Sequence, residues 1–170
     1  INYGRLNQQA LHDVALRFDE TAGNVAKASP SVVVSSVDLP VYVSAVDTVT
    51  YKYKNAKYNS LGRGFLGFES YTTQSTLNKR KTTYDFYGTN LSGGTGTFPA
   101  FPFIGAKLRQ TTVNTANNKT VSVSNNFWAS KELTSSNKVK FPYASAQFSQ
   151  SYDLEGNAIA ATRATQAYDA

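Results

Sequence analysis

Apolar and polar positions alternate strictly near the middle of this chain. Val49, Tyr51 and Tyr53 share one parity, and Thr50, Lys52 and Lys54 share the other. A period of two marks a strand with one packed face and one wet face. The same period, broken by turn residues, predicts strands at 32–37, 41–45, 49–54, 64–71, 79–87, 104–113, 120–128, 139–152 and 159–166. Asn117-Asn118 separates two of these runs, and Asn tolerates the left-handed backbone of a tight hairpin. Glu155-Gly156-Asn157 separates the last two.

Three places interrupt the alternation. In Gly62-Arg63-Gly64-Phe65-Leu66-Gly67-Phe68, three glycines fall within six residues, too dense for a helix and costly in a plain strand. They predict bends or bulges where backbones approach closely, with Phe65 and Phe68 filling the adjacent space. Between Gly88 and Pro102 the sequence is rich in Gly and Phe-Pro steps; Pro99 and Pro102 lack the donor a central strand needs, which predicts a mobile insertion. Near the start, Leu6, Ala10, Leu11, Val14, Ala15 and Phe18 fall near helical spacing. They predict a short helix around residues 8–19, stopped by Gly23, with Pro30 closing the segment.

The fold expected is therefore all-β, antiparallel hairpins forming a curved sheet, with one short N-terminal helix. No linker divides the chain, so residues 1–170 read as one unit: an N-terminal segment 1–30, a middle region 31–150 and a final piece 151–170. Eleven Tyr and ten Phe, with recurring Thr, Ser and Val, agree with strand composition.

Charge and special residues remove several function classes. The chain has no Cys, which excludes disulfides and thiolate metal sites. It has no Met and begins at Ile1, which predicts a fragment or a processed product. The net charge is +6, but the cations are scattered and only Lys79-Arg80-Lys81 forms a run. A nucleic-acid binder concentrates its basic residues on one face, so this run reads as a solvated turn. No window is long and apolar enough to span a bilayer, and no secretory signal is visible.

Candidate chemistry is sparse. His12 is the single histidine and lies outside the strand-rich part, so neither a triad nor a multi-histidine metal site is expected. Glu69 and Asp85 fall on strands that can be neighbours, as the carboxylate pair of a glycosidase requires; rim charges on a sheet are the blander and favoured reading. Asp153 reads as a turn residue capping backbone donors near Gly156. With Glu155 and Asn157 it also has part of the alternating oxygen pattern of a calcium loop. Gly62, Gly64 and Gly67 lack the Lys-Ser or Lys-Thr and the helix of a phosphate loop. Trp128, Phe127, Tyr51, Tyr53 and Tyr58 offer a sugar-stacking platform if exposed, or cross-strand packing if not.

Four blocks together resemble one family. The Tyr-Lys-Tyr…Gly-Arg-Gly-Phe-Leu-Gly-Phe-Glu block at 51–69, with Gly62, Gly64, Phe65, Gly67 and Phe68, resembles the middle region of insecticidal Tc toxin B components and SpvB-type virulence proteins. The Phe101-Pro102-Phe103-Ile104-Gly105 block is similar to the element that follows there. Val33-Val34-Ser35-Ser36-Val37 matches the upstream strand, and Tyr152-Asp153-Leu154-Glu155-Gly156-Asn157 is similar to the YD repeats of Rhs proteins. A second Tyr-Asp pair stands at Tyr168-Asp169. The resemblance covers roughly residues 30–170, in matching order; the first 30 residues and the Gly-rich insert at 91–97 depart from it.

The resemblance implies a non-catalytic wall segment of a hollow Rhs-type shell that encloses a toxic C-terminal cargo. It implies partners in the rest of the parent chain and in a C-component protein, export from a bacterium, and no cofactor, nucleic acid or membrane insertion. The open edges of a hairpin array also predict non-native dimerisation. The alternative is a carbohydrate- or receptor-binding β domain built on Trp128, Tyr51 and Tyr53.

Overall fold

The computed structural model describes residues 1–8, 11–13, 18–19, 24–26, 31–42, 45–59, 64–86, 103–132 and 140–168. Twelve strands are described: β1 Asn2–Arg5, β2 His12–Asp13, β3 Phe18–Asp19, β4 Asn24–Ala26, β5 Val32–Tyr42, β6 Ala45–Asn59, β7 Gly64–Ser75, β8 Arg80–Phe86, β9 Lys107–Asn114, β10 Lys119–Glu132, β11 Lys140–Tyr152 and β12 Ala158–Thr165. All belong to one sheet, whose main path runs β1-β5-β6-β7-β8-β9-β10-β11-β12. From β5 onward, chain order equals spatial order, and every neighbour pair on the main path is antiparallel. The fold is all-β, an open meander.

Fifteen-residue β6 organises the N-terminal side. One of its edges pairs with β7 along nearly its whole length. Its other edge is shared by three strands in succession: β5 against Ala45 to Thr50, β2 against Tyr53 and Lys54, and β4 against Lys57 to Asn59. The β2 pairing is parallel, with Tyr53 N–H donating to Leu11 O at 2.9 Å.

This arrangement overturns the predicted helix at 8–19. Of that window, His12–Asp13 and Phe18–Asp19 are strands, and no described residue of the chain is helical. The near-helical spacing has another cause: Leu6 and Leu11 are both buried. They are held by a reversal in which Gln8 N–H donates to Arg5 O and Leu11 N–H to Gln8 O. A methyl group at Gly4 would lie 2.6 Å from Leu11 Cδ2, so the chain crosses itself closely there. The strand expected at 41–45 is also corrected. Val41 and Tyr42 end β5 and Ala45 opens β6, so that window spans the junction between two strands. The Gly-rich insertion at 88–102 lies outside the described residues.

Two glycines of the predicted bulge are described, and both turn the strand by dihedral rather than by crowding. Gly64 and Gly67 have φ of +70° and +102°, yet an added Cβ would meet nothing within 4 Å at either. The β6–β7 register slips here, from Lys57 opposite Gly67 to Tyr58 opposite Phe65, so Leu66 is the extra residue of a bulge and is buried. Close backbone approach is therefore not the reason for glycine at 67. Gly67→Ala should cost about 1–2 kcal/mol through left-handed backbone strain alone. Chemical denaturation should show it as a lower midpoint at unchanged slope.

Among the described residues, little of this sheet has a second layer. Among the described residues only Leu6, Leu11, Ala56 and Leu66 are buried apolar side chains, whereas seventeen large hydrophobic residues are exposed. An isolated globular domain of this length ordinarily hides such residues in one core.

Candidate functional site

Residues directly opposite in antiparallel strands share a face, so the register sorts the sheet into two surfaces. One row of the first face runs Tyr53, Tyr71, Tyr84, Gln110, Ser124, Ser149, Thr162 from β6 to β12. One row of the second runs Lys54, Ser70, Asp85, Arg109, Asn125, Phe148, Arg163. Tyr51 and Tyr53 are half-buried and Lys52 and Lys54 exposed, as the alternation predicts.

The first face carries a continuous strip of rings across β6, β7 and β8. Phe65 meets Phe68 edge-on at 5.4 Å, Phe68 meets Tyr53 at 4.7 Å, and Tyr53 lies 6.4 Å from Tyr71. Tyr71 then stacks on Tyr84 at 4.6 Å and on Phe86 at 5.6 Å. Such pairs contribute beyond their buried area. Tyr53 also donates its hydroxyl to Val34 O at 2.9 Å, which ties β5 to the strip. Burial, reinforced by neighbouring tyrosines, pushes the phenols of Tyr53 and Tyr71 upward, so both are neutral donors at physiological pH. Toward β9–β12 this face becomes polar. Thr82 and Thr112 hydroxyls lie 3.1 Å apart, and Ser124 accepts from Gln147 and Ser149 at 3.2 and 3.1 Å.

The second face changes in the opposite sense. Over β6–β9 it holds Lys52, Lys54, Thr72, Thr83, Asp85, Arg109 and Thr111, while over β10 and β11 it presents Phe127, Phe148, Tyr143 and Phe141. Phe127 is 54% exposed and Phe141 42%. Phe141, Tyr143 and Tyr168 form a small cluster with centroids 4.8–6.4 Å apart. Neither face is polar from end to end.

Of the two carboxylates considered for catalysis, Glu69 is held by an ion pair and a hydrogen bond. Glu69 receives Lys54 Nζ at 2.8 Å and the side-chain amide of Asn55, a buried residue at φ +47°. Asp85 sits one strand over, opposite Ser70 and Arg109. Burial pushes its carboxyl upward, against the pull of Arg109, with Glu69 adding to the rise. A raised carboxyl opposes folding at neutral pH and ceases to do so as pH falls through the folded value. Asp85→Asn should therefore leave neutral-pH stability unchanged or slightly higher, with a smaller difference from wild type in acid. Melting curves at pH 7 and pH 4 would show it.

One end of the sheet is a row of turns stitched together. Asp47, 3% exposed, accepts from Ser75 Oγ at 2.9 and 2.7 Å, Leu77 N–H at 2.9 Å, Asn78 Nδ2 at 3.2 Å and Thr76 Oγ1 at 3.3 Å. It thus fixes the β7–β8 turn from the neighbouring hairpin, and the Leu77 N–H and Ser75 hydroxyl hold its carboxyl below the usual range against burial. Lys79 O of that turn accepts Thr115 N–H at 2.7 Å from the β9–β10 turn. Asn117 of the β9–β10 turn donates to Leu154 O at 2.9 Å in the β11–β12 turn. Asn118 is left-handed, at φ +57°. The Lys79-Arg80-Lys81 run is exposed and begins β8 from this row.

The Tyr152-Asp153 element forms the last turn. Asp153 accepts Asn157 N–H at 2.7 Å and Asn157 Nδ2 at 2.9 Å, Gly156 N–H donates to Asp153 O, and Gly156 has φ +93°. The Asn157 side chain is the main cause holding the Asp153 carboxyl low. This is the capping role expected of Asp153. Among the described residues no group of His, Asp or Glu has the numbers to hold a metal ion.

No family model matches the chain, and no curated protein or solved structure matches it. The remaining predicted positions are placed by the sheet itself. Gly105, at φ +79°, completes a turn closed by Ala106 N–H to Phe103 O at 2.9 Å; Gly62, Phe101 and Pro102 lie outside the described residues. His12 pairs through its backbone with Tyr53. Trp128 shares the first face with Tyr51 and Tyr53, but β10 is four strands from β6, about 19 Å at ordinary strand spacing. Its indole donates to Lys107 O at 2.9 Å, as does Asn126 at 3.0 Å. The structure does not bring the three proposed platform residues together. Sequence reading missed Asp47, which lies in the gap between the strands expected at 41–45 and 49–54, whereas the structure places it inside β6.

Proposed function

We propose that this chain is a structural wall segment, without catalytic function, of a Tc/SpvB-type toxin component. In that role it forms part of a hollow shell around a toxic C-terminal cargo, in a complex exported from a bacterium. Its partners are the rest of the parent chain and a C-component protein. The observation that carries the reading is the single-layer sheet, with seventeen exposed large hydrophobic residues and four buried apolar ones among those described. A sheet with two uncovered, partly apolar faces is stable when each face meets something else. The ordered meander supports the same reading, since strands added one after another extend a wall without enclosing a core of their own. So does the stitched row of turns, which makes one rim continuous across neighbouring hairpins.

The wall reading makes a face-specific claim. Oxidative footprinting of aromatic residues should label both ring clusters in the isolated chain. In the assembled toxin component it should protect the Phe65–Tyr84 strip or the Phe127–Phe148 patch strongly. Equal labelling of both clusters in the two settings would contradict the proposal.

A further inference from the structure

Strands β9 to β12 carry six cations, Lys107, Arg109, Lys119, Lys131, Lys140 and Arg163, and one acid, Glu132. Along the chain these cations are scattered, but the sheet sets them on four adjacent strands. The register then places Arg109, Asn125, Phe148 and Arg163 in one row of the second face, one residue from each strand. From Arg109 to Arg163 the row spans three strand spacings, about 14 Å. Both arginines are exposed, and among the described residues neither takes part in an ion pair. The acids nearest this row, Asp85 and Glu69, belong to β8 and β7, to one side of it, and Glu69 is engaged by Lys54.

Two rings stand among these cations. Asn125 pairs with Phe148 and Phe127 with Ala146, so Phe127 and Phe148 are diagonal neighbours, about 7–8 Å apart. Both are exposed. The ring contacts described on this part of the face join Phe141, Tyr143 and Tyr168, and Phe127 and Phe148 stand outside them. Each therefore keeps its exposed ring for a planar ligand.

We propose that the second face over β9–β12 binds single-stranded nucleic acid. Phe148 and Phe127 stack on bases, Arg109 and Arg163 contact phosphates, and the Asn125 carboxamide meets a base edge. The excess of cations calls for a polyanion. Separate rings on a flat sheet, flanked by guanidinium groups, suit bases that stack one at a time. A duplex turns only base edges toward its grooves and offers these rings no base face. A bilayer surface takes up a continuous apolar face, whereas here Asn125 and Arg163 flank Phe148. In a wall, this is the face left open when the Phe65–Tyr84 strip is covered. The inference is independent of the wall reading, and its failure would leave that reading standing.

Fluorescence anisotropy of the chain with labelled oligothymidylate and oligouridylate tests it, with heparin as a polyanion that has no bases. Both oligonucleotides should bind, and tighter binding of one would support the proposal while identifying the preferred sugar. Phe148→Ala should weaken oligonucleotide binding about tenfold and leave heparin binding unchanged. Arg163→Gln should weaken both and reduce the slope of log affinity against log salt by about 0.7. Arg80→Gln removes the same charge from the first face and should change neither. All three side chains are exposed, so the strand circular-dichroism signal should be retained. Failure of both oligonucleotides to bind at low salt would overturn the proposal. So would equal losses in Arg80→Gln and Arg163→Gln, which indicate diffuse charge, or equal losses of oligonucleotide and heparin in Phe148→Ala. Binding to phosphatidylserine vesicles but to neither oligonucleotide would assign the face to a lipid surface instead.

Discussion

Asp47→Ala should lower the melting temperature more than any other turn substitution in this protein, and more than Ser75→Ala or Thr76→Ala. The carboxylate is the shared acceptor for Ser75, Thr76, Leu77 and Asn78 at the β7–β8 turn, so its removal takes the acceptor from all four donors together. The turn is also the first link in the stitched rim, through Lys79 O to Thr115 N–H. Loosening should spread to the β9–β10 turn and appear there as faster amide exchange. The pH dependence has a definite sign. The folded carboxyl lies below its ordinary value of 3.8, so its contribution is complete above that value and is lost as pH falls through the lower folded value. Wild-type stability should fall across that acid window. Asp47→Ala, already weaker at pH 7, should show a shallower fall, whereas an unchanged acid limb would show that Asp47 does not anchor the turn. Asp153 shifts in the same direction and retains part of the slope in the variant.

Tyr71→Ala should cost about 2 kcal/mol, below the usual cost of truncating a fully buried aromatic because the ring is only half-buried. Tyr71 is the junction of the ring strip, touching Tyr53 on one side and Tyr84 and Phe86 on the other. Its loss separates β6 from β8 on a face with few other apolar contacts. Tyr84→Ala, at the edge of the strip, should cost less. Denaturant unfolding of both variants checks the ranking, and equal costs would mean that the strip is a set of independent pairs rather than a connected unit.

Most strands from β5 onward were legible because each needs only local information, whereas β1 to β4 were not expected. Alternation located β6, and Asn118 and Gly156 supplied the left-handed turns their sequences predict. The window at 8–19 was misread because Leu6 and Leu11 are buried through a tight reversal and a parallel pairing with β6, and spacing alone does not separate that from a helix turn. At Gly67 the bulge was legible but its cause was not, since a positive φ and a close approach leave the same mark in a sequence. Asp47 and the Lys54–Asn55–Glu69 cluster were least legible. Their partners lie 14 to 31 residues away along the chain and meet only through register. The change of character between the two faces has the same origin, because register and bulges decide which rings share a side.

The most direct test of the wall reading is electron microscopy of the full-length protein carrying this sequence, alone and with the chain encoded beside it. The account predicts a hollow particle whose continuous β wall contains the β5–β12 meander, one face toward the cavity. A compact or beaded particle without a cavity, with this sheet projecting as a separate module, would contradict it.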